Sequence, residues 1–315
     1  MEWCDGQLKL YSSVAETNVD WLWYPYIPFG KLTLVQGDPG CGKSTMMMDL
    51  VSAVSTGSPA PDMQKPRKPM HVIYQCSEDS VSDTIKPRLI SAGADCSNVA
   101  FLDEEESIVT LNDEKIRRAI ADFHAKLLVI DPVQAYIGEA DMGNATGMRK
   151  ILRQLAGWAA LYDCAIILVG HLNKRQGSKD LYRGLGSIDL IAAARSVLQV
   201  ERMPEDDSIV IVRQVKSSLA PKGNDQYFTK GPKGGISWLE RSATDGLPVV
   251  PAKTRKQNQV ADMLRSILSK GPVKAIEIQA IFEREHISQR TALATKKLLE
   301  IRSIKKEDAW YWQLP

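Results

Sequence analysis

One nine-residue stretch of this chain has the residue types and spacing of a phosphate-binding loop. It reads GDPGCGKST and contains a GxxxxGKS pattern that ends in Lys43 and Ser44. Glycines let the backbone turn so that successive N–H groups point at phosphate oxygens, and the helix that follows adds the positive end of its dipole. In this pattern the lysine reaches the β and γ phosphates and the serine hydroxyl binds Mg²⁺. The predicted nucleotide-binding residues are Gly37, Asp38, Pro39, Gly40, Cys41, Gly42, Lys43, Ser44 and Thr45.

The segments around this loop, and a second acidic motif, support a nucleotide site. An apolar run, Leu32 to Gln36, predicts a strand before the loop, and Ser44 to Ser55 predicts a helix after it. Further along, LLVID predicts a buried strand that ends in Asp131. In a chain with a phosphate-binding loop, an aspartate at that place holds Mg²⁺ directly or through water. The sequence therefore predicts Ser44 and Asp131 as the metal-binding residues.

Two further groups are candidates for the hydrolytic step itself. Glu78 follows the predicted strand His71 to Cys76, and a carboxylate within hydrogen-bond reach of water can act as its general base. Asp79 is the neighbouring alternative, and either carboxylate is equally suited to cap a helix N-terminus. His171 ends the predicted strand Ala165 to Gly170 and is a candidate sensor of the γ-phosphate or the attacking water.

The sequence also favours adenine over guanine as the base. Asn173 and Lys174 are adjacent, as in the guanine-reading NKxD motif, but position 176 is Gln rather than Asp. We therefore expect ATP and Mg²⁺ as the cofactors.

Five motifs in order resemble the RecA-like ATPases of the plasmid RepA replicative helicase type. They are GDPGCGKST, SED, LLVIDP, VGHLNK and YRGLGSIDLIAAARSVL, and the resemblance covers roughly residues 15 to 240. It implies a ring-forming core, with six subunits expected, that hydrolyses ATP between subunits and moves on single-stranded DNA. It also implies roles for Lys43 and Ser44 at the phosphates and metal, Glu78 as the base, Asp131 at the metal and His171 as the sensor.

In one place the chain departs from the ring-helicase pattern. A finger residue from a neighbouring subunit normally stabilises charge on the transferring phosphoryl group. Where a Lys-x-Arg pair is expected, after the strand Ile209 to Val215, the chain reads Lys216-Ser217-Ser218. The candidates for the finger are therefore Arg195, Arg213 and Lys216 itself.

Two basic segments are candidates for contact with single- or double-stranded DNA. The Gly-, Lys- and Arg-rich stretch Asn173 to Asp189 lies where such proteins carry a DNA-facing loop, and its alternative reading is a solvated loop. The segment from residue 257 to the last residue reads as three helices and a hairpin, which resembles a winged helix-turn-helix; such folds also serve as protein-interaction modules. The predicted DNA-contacting residues are Lys174, Arg175, Lys179, Arg183, Arg290, Lys296 and Lys297.

The order of the predicted elements gives the expected fold. Short β-branched runs alternate with helical ones, which is typical of an α/β fold with a mainly parallel sheet. With the resemblance, the expectation is a RecA-like P-loop core over residues 1–240, a linker over 241–256 and a winged-helix-like domain over 257–315. Charge divides in the same way: Pro251 to Pro315 holds 13 basic and 7 acidic residues, a net +6, while the rest of the chain carries −4.

Composition excludes several classes of protein. The five cysteines form no CxxC pair, so neither a zinc site nor a disulfide framework is predicted. No secretion signal is recognised, and the apolar runs are too short to span a bilayer, so we expect a cytoplasmic protein without membrane contact. The functional expectation is ATP hydrolysis coupled to DNA binding or translocation by a helicase or replication factor of a mobile element. The alternatives are an ATP-gated DNA-binding switch or loader, a recombination- or repair-type RecA relative, and a scaffold ring.

Overall fold

The structure of the chain is a computed structural model that divides into two compact units, Met1–Thr244 and Asp245–Pro315. In the first unit it describes residues 10–63, 65–105, 108–138, 145–171, 187–204, 206–231 and 235–239. In the second it describes residues 260, 263–269, 271–285, 287, 292–293, 295–296, 299, 301–306 and 309–314.

A nine-stranded sheet forms the centre of the first unit. A separate antiparallel pair, β1 (Trp21–Trp23) and β2 (Ile27–Pro28), precedes it. The sheet strands are β3 (Leu32–Gly37), β4 (Val72–Cys76), β5 (Val99–Ala100), β6 (Leu127–Asp131), β7 (Ala165–His171), β8 (Ser196–Arg202), β9 (Ile209–Ser217), β10 (Gln226–Lys230) and β11 (Ile236–Trp238). Their order is β11-β10-β9-β8-β3-β7-β6-β4-β5. From β8 to β5 all neighbours are parallel, and β8 to β11 extend the sheet with antiparallel strands.

Helices cover both faces of this sheet. They are α1 (Lys43–Thr56), α2 (Lys86–Ser91), which a π-helical turn Val81–Ile85 precedes, α3 (Glu114–Asp122), α4 (Ala145–Tyr162) and α5 (Ser187–Ala193). Short 3₁₀ turns lie at Tyr11–Ser13, Cys96–Asn98 and Val133–Tyr136. The predicted strands and the predicted helix after the loop are all present with small shifts at their ends, so the expected α/β fold with a mainly parallel sheet is confirmed.

Two hydrophobic cores explain why the central strands are largely apolar. Neighbouring side chains of a strand point to opposite faces, so a strand covered on both faces is apolar on both of its sides. In β7, Ile167 belongs to the core on the α1 side, whereas Ile166 and Leu168 belong to the core with α3 and α4. All six residues of β3 are buried. The strand that leads into the phosphate-binding loop is therefore among the most firmly held parts of the unit.

The second unit has its own small core and a three-stranded sheet. Residues 263–268 are helical, β12 (Val273–Lys274) leads into α6 (Ala275–Arg284), and β13 (Arg302–Lys306) pairs with β14 (Ala309–Gln313). Leu264, Ile278, Phe282 and Ile301 are buried in this core. The second predicted helix of this segment and its hairpin are present. The start of the third predicted helix lies outside the described residues.

Candidate functional site

The phosphate-binding loop joins the end of β3 to the start of α1. Gly37 ends β3, and a Cβ at this position would lie 2.1 Å from the backbone oxygen of Val200 on β8, so no side chain fits. Gly42 caps α1 with φ +115°, a conformation that residues with a side chain rarely adopt. Gly37 lets the loop begin close to the backbone of β8, and Gly42 lets the chain turn into α1. The N-terminus of α1 therefore lies at the carboxyl edge of the sheet.

Lys43 places its positive charge inside this loop. Its side chain is only 3% exposed, and its Nζ donates hydrogen bonds to the backbone oxygens of Gly37 and Asp38, both at 2.9 Å. Ser44, the next residue, lies in the first turn of α1 and is partly exposed. The loop therefore combines a buried cation with a partly exposed serine at a helix N-terminus, an arrangement that attracts anions.

Asp131 supplies a fixed carboxylate at the same edge. It ends β6, is 4% exposed, and its Oδ2 accepts a hydrogen bond from the hydroxyl of Tyr74 at 2.9 Å. Burial, and then the charge of Asp131, raise the pKa of Tyr74 well above its usual value, so this hydroxyl remains a donor at neutral pH. Tyr74 was not singled out from the sequence, although its position in the strand beside β6 could have indicated it.

His171 stands between the loop and Asp131. It ends β7, which lies between β3 and β6, and it is the register partner of Gly37. Its Nε2 is 3.9 Å from Oε1 of Glu78, and both side chains are partly exposed. Its Nδ1 is buried and has no hydrogen-bond partner within the described chain, as is also true of Nε2 of Gln36, the residue before Gly37. Unpaired buried polar atoms beside the loop fit a site that binds a polar ligand.

The two candidate carboxylates after β4 have different surroundings. Asp79 forms an ion pair with Arg88 of α2 at 2.6 Å. Glu78 is instead exposed and faces His171. The structure thus directs Glu78, rather than Asp79, towards the edge of the sheet that holds the loop.

These groups fit a magnesium nucleotide rather than a metal cage made by protein alone. In the residues that the structure describes, no three His, Cys, Asp or Glu side chains are grouped closely enough to hold a metal ion. Mg²⁺ usually takes one or two protein oxygens together with phosphate oxygens and water. Ser44 and Asp131 are the residues that would hold it, and the ion would supply positive charge to the phosphates.

The hydroxyl of Tyr74 gives a testable prediction about this carboxylate. Tyr74→Phe removes the hydrogen bond to Asp131 but keeps the ring in the core. We expect the Mg²⁺ concentration for half-maximal ATP hydrolysis to rise about 10-fold, since a hydrogen bond to a metal ligand orients it. The matched control is Tyr136→Phe, whose hydroxyl contacts Glu104 at 3.4 Å. If the two variants depend on Mg²⁺ equally, the hydroxyl of Tyr74 does not orient Asp131, and the residue contributes only its ring to the hydrophobic core.

Two further cations reach the loop and were missed by sequence reasoning. Nη2 of Arg202, at the end of β8, donates to the backbone oxygen of Gly40 at 3.0 Å. Nζ of Lys230, at the end of β10, donates to the same oxygen at 3.2 Å. Neither belongs to a motif, and they are separated from Gly40 by 162 and 190 residues. Their location at the ends of two strands in one sheet was the only available signal.

The three finger candidates differ in their contacts. Lys216 donates to the backbone oxygens of Ile191 and Ala194 at 2.7 Å and of Ala192 at 3.2 Å, where it caps the end of α5. Arg213 is half-buried between the carboxylates of Glu201 and Asp225. Arg195 has an exposed side chain, and its backbone N–H donates to Leu32, at the opposite edge of the sheet from the loop.

Most of the predicted DNA-contacting residues lie outside the described residues. They are Lys174, Arg175, Lys179, Arg183, Arg290 and Lys297. Lys296 is described: its Nζ lies 4.3 Å from the ring centre of Trp312 and also contacts Oγ of Ser303. This amine is therefore held against the hairpin of the second unit.

The chain is similar in sequence to a known protein family and to several known proteins. A family model described as an AAA domain matches residues 10–177. Proteins named DNA repair protein RadA are similar: that of Helicobacter pylori strain 26695 is 30% identical over 68% of this chain and 43% of its own length. Those of Bacillus subtilis and Chlamydia muridarum are each 28% identical over 46% of this chain and 28% and 29% of their own lengths. The chain thus spans less than half the length of these relatives. None of the helices within the described ranges has the length and hydropathy to cross a bilayer.

Proposed function

We propose, since this chain belongs to the AAA domain family of P-loop ATPases, that it hydrolyses ATP with Mg²⁺ and couples hydrolysis to DNA. The observation that carries the proposal is the meeting of four groups at one edge of the sheet: the loop with Lys43, Asp131 fixed by Tyr74, His171, and Glu78 beside it. This set contains a phosphate cradle, a metal-binding carboxylate, a polar group between them and a carboxylate able to activate water.

In this mechanism each residue acts on the phosphates or on water. The loop and Lys43 hold the phosphate chain, and Ser44 and Asp131 would hold a Mg²⁺ ion, which would supply positive charge to the phosphates when bound. Glu78 accepts a proton from the attacking water, and His171, 3.9 Å away, reports the state of the γ-phosphate to the segment that follows it. A neighbouring subunit in a ring, with six as the proposed number, supplies the finger. Arg195 is our candidate because its side chain is exposed and the other two have contacts within their own chain.

DNA is the proposed partner for two reasons: the basic residues that follow His171, and the similarity of the chain to proteins named for DNA repair. The basic residues between 173 and 189 follow His171 directly, so a change at the phosphate end of β7 passes along the backbone to them. The relatives reported above are named DNA repair proteins, which favours a repair- or recombination-type ATPase as the second candidate beside a replicative helicase of a mobile element. The second unit, as a winged-helix-like module, adds a second DNA contact. With DNA as partner, the proposed compartment is the cytoplasm.

The test is steady-state ATP hydrolysis with and without single-stranded DNA at fixed salt. We expect DNA to stimulate turnover, because the basic residues that follow His171 in the chain would bind the strand next to the phosphate end of β7. The Lys179→Ala/Arg183→Ala double variant should lose the stimulation and show a flatter salt dependence of DNA binding. The control, Arg118→Ala/Lys150→Ala, removes equal charge from exposed positions on α3 and α4.

The outcomes separate the candidate functions. Turnover that is indifferent to DNA would contradict coupling and favour a scaffold. ATP-dependent DNA affinity without stimulated turnover would favour a switch or loader. If stimulation is found, separation of a forked duplex distinguishes a helicase from a repair-type ATPase that only remodels bound strands.

A further inference from the structure

Three cations of one chain converge on the phosphate-binding loop, although the loop motif itself supplies only one. Lys43 contacts the oxygens of Gly37 and Asp38, and Arg202 and Lys230 both contact the oxygen of Gly40. The two additional residues end β8 and β10, on the side of β3 away from Asp131. The loop is therefore flanked by metal-binding groups on one side and by these cations on the other.

Two other cations lie near Lys230. Burial, and then the proximity of Arg202, lower the pKa of Lys230; Cys41 opposes this shift, and Lys43 adds to it. Glu201, the carboxylate next to Arg202 in the chain, is paired with Arg213. Lys43 is buried, whereas Arg202 and Lys230 are exposed. Grouping three cations around one loop raises their electrostatic energy, and a multiply charged anion bound there lowers it.

The absence of a side chain at Gly42 leaves room for the side chain of Lys230. A Cβ on Gly42 would lie 2.8 Å from Cε of Lys230 and 3.4 Å from the ring of Phe228, so the glycine lets β10 approach the start of α1. Phe228 is fully buried and anchors β10 two residues before Lys230. The lysine is thus presented to the loop by a fixed strand rather than by a surface loop.

We propose that Arg202 and Lys230 bind the phosphate chain of the nucleotide in cis, as a clamp opposite the metal-binding residues. This inference rests on the proposed nucleotide site and adds to it two phosphate-binding side chains that the loop motif does not contain. The clamp adds positive charge from the same subunit to that of the finger, which the proposed mechanism takes from a neighbour.

The test is calorimetric binding of ATP, ADP and inorganic tripolyphosphate to Lys230→Ala and Arg202→Ala. Each variant loses one hydrogen bond between a charged side chain and the phosphates. The binding free energy that such a bond contributes corresponds to about 10-fold weaker binding of all three ligands. Lys230→Arg should restore most of the affinity. The control is Lys222→Ala, which removes an exposed lysine from the loop between β9 and β10 and should bind as wild type does.

Three results would overturn the clamp. If both variants bind ATP normally while Lys43→Ala does not, the nucleotide site stands and the clamp is wrong. If ATP binding weakens but tripolyphosphate binding does not, the two residues contact the nucleoside instead. AMP is titrated in the same way as a further control. If the variants melt at a lower temperature without any ligand and lose affinity for AMP as much as for ATP, the cations only hold the loop. Failure of the wild-type chain to bind any nucleotide would refute the proposed function as well.

Discussion

Replacing Lys43 with alanine is expected to lower ATP hydrolysis by at least about 100-fold. The buried Nζ lies within the turn of the loop, where charge develops on the transferring phosphoryl group, and removal of one such preorganised donor typically costs this much. The measurement is steady-state phosphate release at saturating Mg²⁺ and ATP. Purified wild type and variant should be compared at equal salt, because the site holds several cations.

The control for Lys43→Ala must separate loss of chemistry from loss of fold. Lys43 also donates hydrogen bonds to two backbone oxygens of the loop, so the thermal unfolding of the Lys43→Ala variant should be recorded. Lys126→Ala removes a lysine that bonds backbone oxygens and Asp163 elsewhere and should leave turnover unchanged. Wild-type hydrolysis by a folded Lys43→Ala variant would place the chemistry outside the loop.

Replacing Glu78 with glutamine is expected to lower turnover by about 100-fold to 10,000-fold while ATP still binds. Glutamine keeps the size of the side chain but cannot accept a proton from water, which is the contribution of a general base. Glu78 is exposed and has His171 as its neighbour, so the exchange should leave stability almost unchanged. The measurement is single-turnover hydrolysis together with calorimetric ATP binding.

Asp79→Asn is the matched control, because it is the adjacent carboxylate. Asp79 is paired with Arg88 at 2.6 Å, with both side chains partly exposed, and exposed ion pairs contribute little to stability. We expect turnover within a few-fold of wild type. If Asp79→Asn, and not Glu78→Gln, abolishes hydrolysis, the base has been assigned to the wrong residue of the pair.

The strands of the core could be predicted because they are buried on both faces. Leu127 to Ile130 is apolar at every position, and Leu32 to Gln36 is mostly apolar with Thr33 and Gln36 as exceptions; such a pattern needs no knowledge of distant contacts. The phosphate-binding loop and the helix after it could also be predicted, because the local backbone geometry of the loop requires its glycines. The two-residue strand β5 and the pair β1 and β2 were missed, because such short strands have no periodicity of their own.

The parts of the site that depend on tertiary contacts could not be predicted. The sequence favoured Glu78 as the base and left Asp79 as the neighbouring alternative, and the ion pair of Asp79 with Arg88 now separates the surroundings of the two carboxylates. Lys216 and Arg213 were finger candidates by location after a strand, yet their contacts with α5 and with Glu201 depend on packing. Arg202 and Lys230 carried no motif at all, because their meeting at Gly40 arises from the strand order of the sheet.

The contact between Gly37 and the backbone of Val200 has a consequence for how this protein can be divided. The family match ends at residue 177, but β8, which flanks β3 on one side, begins at Ser196. A fragment cut at the end of the match would lose β8 to β11 and turn β3, an entirely buried strand, into an open apolar edge that can pair with other chains. The smallest fragment expected to stay monodisperse therefore extends through β11, well beyond the last motif of the nucleotide site.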